Sequence, residues 1–226
     1  MSKLYIVATP VGNLEDITLR ALRVLKEVQL VLCEDTRVTR KLLDHYGIST
    51  GLATYNEMPS GNSEERVLGL LRDGKNIALV SDAGTPGISD PGTRLVGHIR
   101  ANMPKTEIVA IPGPTALIAA LSVSGLSAND FLFLGFLPHK KGRQTLFKEI
   151  AESKRTVVFY ESPHRFLKSL ESLEVVLTDD RKITVCRELT KIHEETKTGT
   201  VKELLDYYGQ NDDKIRGEFV VVVSAR

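Results

Sequence analysis

Tryptophan is absent from the 226-residue sequence, cysteine occurs twice, and positive and negative charge almost cancel. Each shortage excludes something. Cys33 and Cys186 stand alone, with no metal-ligand spacing around them. They exclude a disulfide framework and a zinc site, and they fit a reducing compartment. The five histidines are scattered without paired spacing, so no metal site is expected. With 30 Lys+Arg against 29 Asp+Glu, the net charge is +1 and neither half of the chain is a basic domain. Attraction to nucleic acid through bulk charge is thereby excluded, and any such contact falls to local patches. No apolar run approaches the roughly 20 residues of a membrane helix, and the N-terminus lacks the shape of a signal peptide. The expectation is a cytoplasmic protein with no membrane partner. Phosphate and dinucleotide fingerprints are missing too. There is no Gly-x-x-x-x-Gly-Lys-Ser/Thr run, and no Gly-x-Gly-x-x-Gly follows a strand, so triphosphate, NAD and FAD sites are disfavoured.

What is present is an ordinary globular composition, 42% hydrophobic and 26% charged, long enough for one large domain or two small ones. The stretch Val80-Ser81-Asp82-Ala83-Gly84-Thr85-Pro86-Gly87-Ile88-Ser89-Asp90-Pro91-Gly92 stands out. An apolar strand, Asn76 to Val80, leads into it, and the density of Gly, Pro and Asp exceeds the needs of a turn. A strand ending in a rigid glycine-lined loop before a helix is where open α/β sheets bind ligands. Asp90 is expected as the cap of the following helix, with Pro91 at its first position.

Strands and helices alternate around this stretch. Leu4–Ala8, Leu30–Cys33 and Glu107–Ile111 read as further strands of the first half. The spacing of Leu19, Leu22, Leu25 and Val28 predicts an amphipathic helix with those residues inward. A polar helix follows Glu34-Asp35-Thr36-Arg37 and stops at Gly47. Others fall around Leu68–Leu71, over Thr93–Ala101 and over Ala116–Ser124. The second half adds strands at Phe131–Phe136, Thr156–Tyr160, Ile183–Cys186 and Glu218–Val223. Its helices fall near 141–153, 163–177 and 200–208, with a polar edge strand over His193–Gly199. The fold class is α/β: two α/β domains, 1–116 and 117–226, with mainly parallel or mixed sheets.

Three strand ends carry Gly or Pro: Thr9-Pro10-Val11-Gly12, Ala83-Gly84-Thr85-Pro86-Gly87 and Pro112-Gly113-Pro114. In a parallel sheet they lie on one edge and expose backbone N–H and C=O groups there. Other strand ends carry charge. Glu34 and Asp35 fit either proton handling or a helix cap. Tyr160-Glu161-Ser162-Pro163-His164-Arg165 offers an aromatic ring, an acid, an imidazole and a cation, with Pro163 suited to a first helical position. Arg187-Glu188-Leu189-Thr190-Lys191 is similar, and both segments fit structural as well as catalytic work. The densest basic cluster, His139-Lys140-Lys141-Gly142-Arg143, follows an aromatic strand. Lys140, Lys141 and Arg143 there suit phosphate beside unstacked bases, or simply a solvated helix start.

Taken in order, Leu4–Leu14, Glu34–Arg37, Leu79–Pro86, Pro112–Pro114, Phe159–Arg165, Arg187–Lys191 and Gly217-Glu218 resemble one family throughout the chain. It is the small-subunit ribosomal RNA (cytidine-2′-O)-methyltransferases, a branch of the tetrapyrrole methylase superfamily. One departure from the wider superfamily is Gly84-Thr85-Pro86, where tetrapyrrole methylases typically have Gly-Asp-Pro. The resemblance implies a homodimer that binds S-adenosylmethionine in a cleft between two α/β domains. Its implied substrate is a cytidine ribose 2′-hydroxyl in the decoding region, in free rRNA or the assembled small ribosomal subunit. By position the cofactor residues are Pro10, Ser81, Asp82, Ala83, Gly84, Thr85, Ile88, Gly113, Pro114, Thr115 and Ala116. The second half contributes Phe136, Tyr160, Leu189 and Gly217. Asp35, Glu161, Arg187 and Glu188 are the catalytic candidates, and no metal is implied. Family members often continue past the point where this sequence ends, at Arg226, so weak RNA binding by this chain alone is expected. Competing readings are a methylase of a tetrapyrrole or other small molecule, and a non-catalytic, cofactor-sensing module that binds ribosomes.

Overall fold

Apolar runs at the two spacings resolve, in a computed structural model that describes residues 2–56 and 62–226, into two units divided after Thr115. The first unit contains β1 (Lys3–Val7), α1 (Leu19–Glu27), β2 (Leu30–Cys33), α2 (Thr36–His45), β3 (Leu52–Thr54), α3 (Asn62–Arg72), β4 (Ile77–Leu79), α4 (Thr93–Asn102) and β5 (Glu107–Ile111). Its sheet is parallel throughout, in the order β3-β2-β4-β1-β5. A parallel sheet is covered on both faces, and the side chains divide with a period of two. Val7, Val31, Cys33, Ala78, Val80 and Ile111 pack beneath α1 and α2. Leu4, Leu32, Ile77 and Leu79 pack on the other side, against Val67, Leu68 and Leu71 of α3 and Leu95 and Ile99 of α4.

Local chemistry sets the helix ends. Asp35 caps α2 by accepting from Arg37 N at 2.8 Å. The far end of α2 turns at Gly47 (φ +62°), where Gly47 N donates to Asp44 O and Ile48 N to Leu43 O. This pair of bonds is a Schellman closure. Two expectations are corrected. Helix α1 begins at Leu19 behind its cap Thr18 and buries Ala21, Val24 and Leu25, while Leu19 is 86% exposed. Leu22, Leu25 and Val28 pack inward beside Ala21 and Val24, as the 3.6-residue period requires, and of the four expected residues only Leu19, at the first helical position, faces out. Helix α4 begins at Thr93 and is capped by Gly92 (φ +139°), not by Asp90. A Cβ on Gly92 would lie 2.9 Å from Leu79 Cδ2, so glycine is required there. Edge strand β3 has only three residues, too few for a strand alternation to show in the sequence.

The second unit contains α5 (Ala116–Ser124), β6 (Phe131–Phe136), α6 (Arg143–Glu152), β7 (Thr156–Glu161), α7 (Pro163–Val176), β8 (Ile183–Arg187), β9 (Glu195–Gly199), α8 (Val201–Gly209) and β10 (Phe219–Val223). Its sheet is mixed, in the order β6-β7-β10-β8-β9, with only β6 and β7 parallel. Helices α6, α7 and α8 cover one face through Phe147, Phe166, Leu170 and Tyr208, and the Phe166 and Phe219 rings stack at 4.1 Å. Each fully buried aromatic of this kind stabilises the unit by about 1.5–3 kcal/mol. On the other face Leu117, Ala120 and Leu121 of α5 meet Val158, Cys186, Val220 and Val222. Cys33 and Cys186 are free and buried, and burial pushes both thiols upward in pKa.

Candidate active site

The strand order of the first unit decides where its loops go. Strands β4, β1 and β5 are neighbours, so the three Gly/Pro-rich segments leave one edge side by side. They are then bonded together. Thr9 N donates to Gly84 O at 2.8 Å, and Gly84 N returns a bond to Thr9 O at 3.0 Å. Thr9 Oγ1 donates to Ser81 O, and Thr85 Oγ1 to Pro114 O, each at 3.1 Å. Ser81 Oγ donates to Ala83 O. Gly113 lies so close to β1 that a Cβ would come within 2.9 Å of Ala8 Cβ. Gly84 has φ +78°, yet a Cβ there would meet Val11 Cγ1 at 3.5 Å, an ordinary contact. Glycine at 84 therefore answers a conformational demand more than a spatial one. Pro10 and Gly84 are buried in this array, whereas Asp82, Ala83, Ile88 and Gly113 are exposed along it.

Strand β2 borders β4, which brings Glu34 and Asp35 to the same edge. Asp35 N donates to Asp82 Oδ1 at 3.1 Å. Asp35 itself is held at a pKa of about 2, chiefly by the Arg37 guanidinium that bonds its carboxylate. Glu34 is its opposite. Burial pushes its pKa up, the negative charges of Asp90 and Asp82 add to this, and Oε1 has no hydrogen-bond partner among the described residues. Asp90 is raised to about 6, first by burial and then by Asp82, against a lowering bond from Ser81. Asp90 thus joins this carboxylate corner instead of capping α4. Its only mark in the sequence is its place among the backbone specialists of the central loop.

The second unit's candidates fall into separate groups. Phe136, 57% exposed, packs edge-on against Tyr160 at 5.4 Å, and Tyr160 Oη accepts from Leu117 N. Glu161 is buried and faces two guanidiniums: Arg143 Nη2 at 2.9 Å and Arg165 Nη2 at 2.7 Å. Arg143 is consequently turned inward, while Lys140 and Lys141 are exposed. Arg187 is buried at the end of β8, with Nε 3.9 Å from Glu195 Oε2. Beyond it the backbone is strained, with Glu188 at φ +51° and Thr190 at φ +66° flanking buried Leu189. Glu188 Oε1 accepts from Lys191 Nζ at 2.9 Å and Glu218 N at 3.0 Å, directly over Gly217. Burial acts upward on Glu188, but these donors together hold its pKa below the usual range. A Cβ on Gly217 (φ +79°) would overlap Glu188 Cγ at 2.6 Å, so glycine makes the room that the carboxylate fills.

An edge of bonded backbone loops on a five-stranded parallel sheet, followed by a mixed second sheet, defines a class. The profile of the tetrapyrrole (corrin/porphyrin) methylases matches residues 3–205, and the chain belongs to that family. Within it, the chain is 45% identical over 226 residues to ribosomal RNA small subunit methyltransferase I of Thermotoga maritima, covering all of both chains. It is 47% identical to the Synechocystis sp. protein of the same name, over 99% of this chain and 79% of that one. For the Escherichia coli O157:H7 protein of that name, the values are 46% identity, 98% and 77%. Among solved structures, a cobalt precorrin-4 methyltransferase of cobalamin biosynthesis superposes with a TM-score of 0.69 at 20% identity, over 98% of this chain and 94% of that one. The uroporphyrin-III C-methyltransferase of Thermus thermophilus also gives 0.69 at 20%, over 99% and 94%. These two likenesses establish the fold.

Proposed function

We propose that this protein is an S-adenosylmethionine-dependent methyltransferase of small-subunit rRNA, acting on the ribose 2′-hydroxyl of a decoding-region cytidine. The observation that carries the reading is the 45% identity to the Thermotoga maritima rRNA methyltransferase along the whole length of both chains. The residues of the first unit suit the cofactor. Its amino and sulfonium groups are cationic, and the edge offers the Glu34, Asp82 and Asp90 carboxylates, one of them with an unpartnered oxygen. Adenosine and a carboxylate need backbone donors and acceptors, which the loops at Pro10, Ser81 to Ile88 and Gly113 to Ala116 supply; Phe136, Tyr160, Leu189 and Gly217 complete the proposed set. When bound, S-adenosylmethionine provides a methyl group already electrophilic on sulfur.

The protein's own task is to orient a ribose oxygen, exclude water and take up a proton. A ribose hydroxyl is a weak acid, so a base or a nearby cation accelerates its attack. Asp35, Arg187, Glu188 and Glu34 are candidates for this work, and we add Asp90; burial raises the proton affinity of Glu34 and that of Asp90, the latter to a pKa of about 6. Glu161, completely buried between Arg143 and Arg165, is closed to a ribose hydroxyl. Lys140 and Lys141 are assigned to phosphate. A homodimer belongs to the same proposal: α5 is apolar on its outer side as well, with Ile118 and Val123 about half exposed, and such a helix calls for a covering partner. No helix among the described residues is long and apolar enough to cross a membrane.

The test is incubation with methyl-labelled cofactor and unmodified small subunits or free rRNA, followed by nucleoside mapping. Label in 2′-O-methylcytidine is expected. Transfer to a tetrapyrrole without RNA, or cofactor binding with no transfer to any substrate, would each defeat the proposal.

A further inference from the structure

The segment between β6 and α6 has no regular structure of its own, yet its path is held from below. Leu137 is buried, Pro138 to Gly142 are exposed, and His139, Lys140 and Lys141 give this loop its charge. Two carbonyls at its start are gripped by guanidiniums: Arg165 Nη1 donates to Leu137 O at 2.8 Å, and Arg143 Nη1 to Pro138 O at 3.0 Å. Both guanidiniums converge on Glu161, whose side chain is completely buried. Ser169 Oγ completes the cluster, 2.7 Å from both Arg143 Nη2 and Glu161 Oε2. Arg143 also lies over the Phe147 ring at 5.2 Å, and Gly142, at φ +83°, turns the chain into α6.

A buried carboxylate between two guanidiniums is a costly way to gain stability, because apolar residues of similar volume serve as well or better. Bidentate arginines do have a geometric use, since each binds a carboxylate with one nitrogen and a carbonyl with the other. We infer that Glu161, Arg143 and Arg165 form a clamp that presets the 137–142 loop for a nucleic-acid backbone. Arg143 is then a positioning residue, and Lys140 and Lys141 meet the phosphates. The inference rests on the rRNA reading and deepens it.

Arg143→Lys and Arg165→Lys test it, because each keeps the charge and loses the fork. Two readouts separate the clamp from the substrate. In the free protein, amide exchange at residues 143 and 146, whose N–H groups bond the loop carbonyls of Lys140 and Gly142, should quicken about tenfold in either variant while β10 stays protected. On small subunits, the Lys140→Ala/Lys141→Ala pair should flatten the log–log salt slope by about two units. Arg143→Lys alone should weaken binding about fivefold and add nothing once both lysines are gone, since contacts acting through one another are non-additive. Unchanged exchange at these amides in both variants, or a full additional loss from Arg143→Lys in the lysine-free background, would overturn the clamp. A lysine pair without effect on binding, beside quickened exchange, would overturn the RNA role of the loop and leave the clamp standing. If Arg143→Lys does not fold, Arg165→Lys decides the same questions through Leu137.

Discussion

The two units solve the same problem, holding irregular segments at strand ends, by different means. In the first, Thr9, Gly84, Thr85 and Pro114 bind one another largely through backbone atoms, and positive φ values are met by glycine at every described position but Ser89 (φ +62°). In the second, charged side chains do the holding: Glu188 over Gly217, and Glu161 between two arginines. Parallel strands deliver several loops to one edge, where backbones meet directly. The mixed sheet also brings its segments together at one end, since Phe219 is paired with both Glu161 and Arg187, but there charged side chains bridge them. The first unit should therefore be sensitive to backbone substitution at its edge, and the second to loss of a side-chain partner.

The largest expected effect tests the second half of that statement. Gly217→Ala puts a methyl group where Glu188 now sits, and evicts a carboxylate bonded to Lys191 and Glu218. Backbone strain at φ +79° adds about 1–2 kcal/mol, and the lost packing brings the total to about 3 kcal/mol in urea denaturation. Glu188→Ala in the same chain should restore part of the stability by clearing the space. No restoration would mean that strain alone sets the cost.

A smaller loss is expected at Gly84. Space exists for a Cβ, so Gly84→Ala should cost only the left-handed strain, about 1–2 kcal/mol, with no partner whose removal rescues it. Calorimetry should also find weaker S-adenosylmethionine binding. A folded Gly84→Val protein with parental affinity would remove Gly84 from the proposed site.

Asp90 gives a pH signature that the second unit lacks. Its folded pKa, about 6, lies above the ordinary 3.8. The native state therefore favours the protonated acid, and this contribution is complete below about pH 4. It is lost as pH rises from there through 6. Asp90→Asn should accordingly gain stability relative to the parent at pH 7.5 and little at pH 4. Discounted for partial solvent exposure, the difference is about 1 kcal/mol. Equal effects at the two pH values would show that burial does not raise the Asp90 carboxyl.

The same contrast explains what could be read in advance. Backbone specialists are visible in a sequence, so the three loops of the first unit, and the edge they share in a parallel sheet, were legible. Gly47 and Pro163 marked helix ends for the same reason. Partnerships between side chains were not legible. Arg143 lies 18 positions from Glu161, and Glu188 lies 30 from Glu218. Nothing in the basic run His139–Arg143 distinguishes the arginine that turns inward from the lysines that do not. Asp90-Pro91-Gly92 satisfies the rules for a helix cap at Asp90, but Gly92, at φ +139° against Leu79 and Gly87, takes that place.

The smallest effect concerns the first turn of α1. Of the row Leu19, Leu22, Leu25 and Val28, the last three pack inward with Ala21 and Val24, and Leu19 alone faces out. An exposed leucine at the first helical position contributes little, so Leu19→Gln should change stability by less than about 0.5 kcal/mol. Leu25→Ala removes a fully buried side chain from among α1, α2 and the sheet, and should cost about 2–5 kcal/mol. Chemical denaturation of the two variants reads the ratio directly. If Leu19→Gln proves as costly as Leu25→Ala, the first turn of α1 is covered in solution, and Leu19 marks a contact with another molecule.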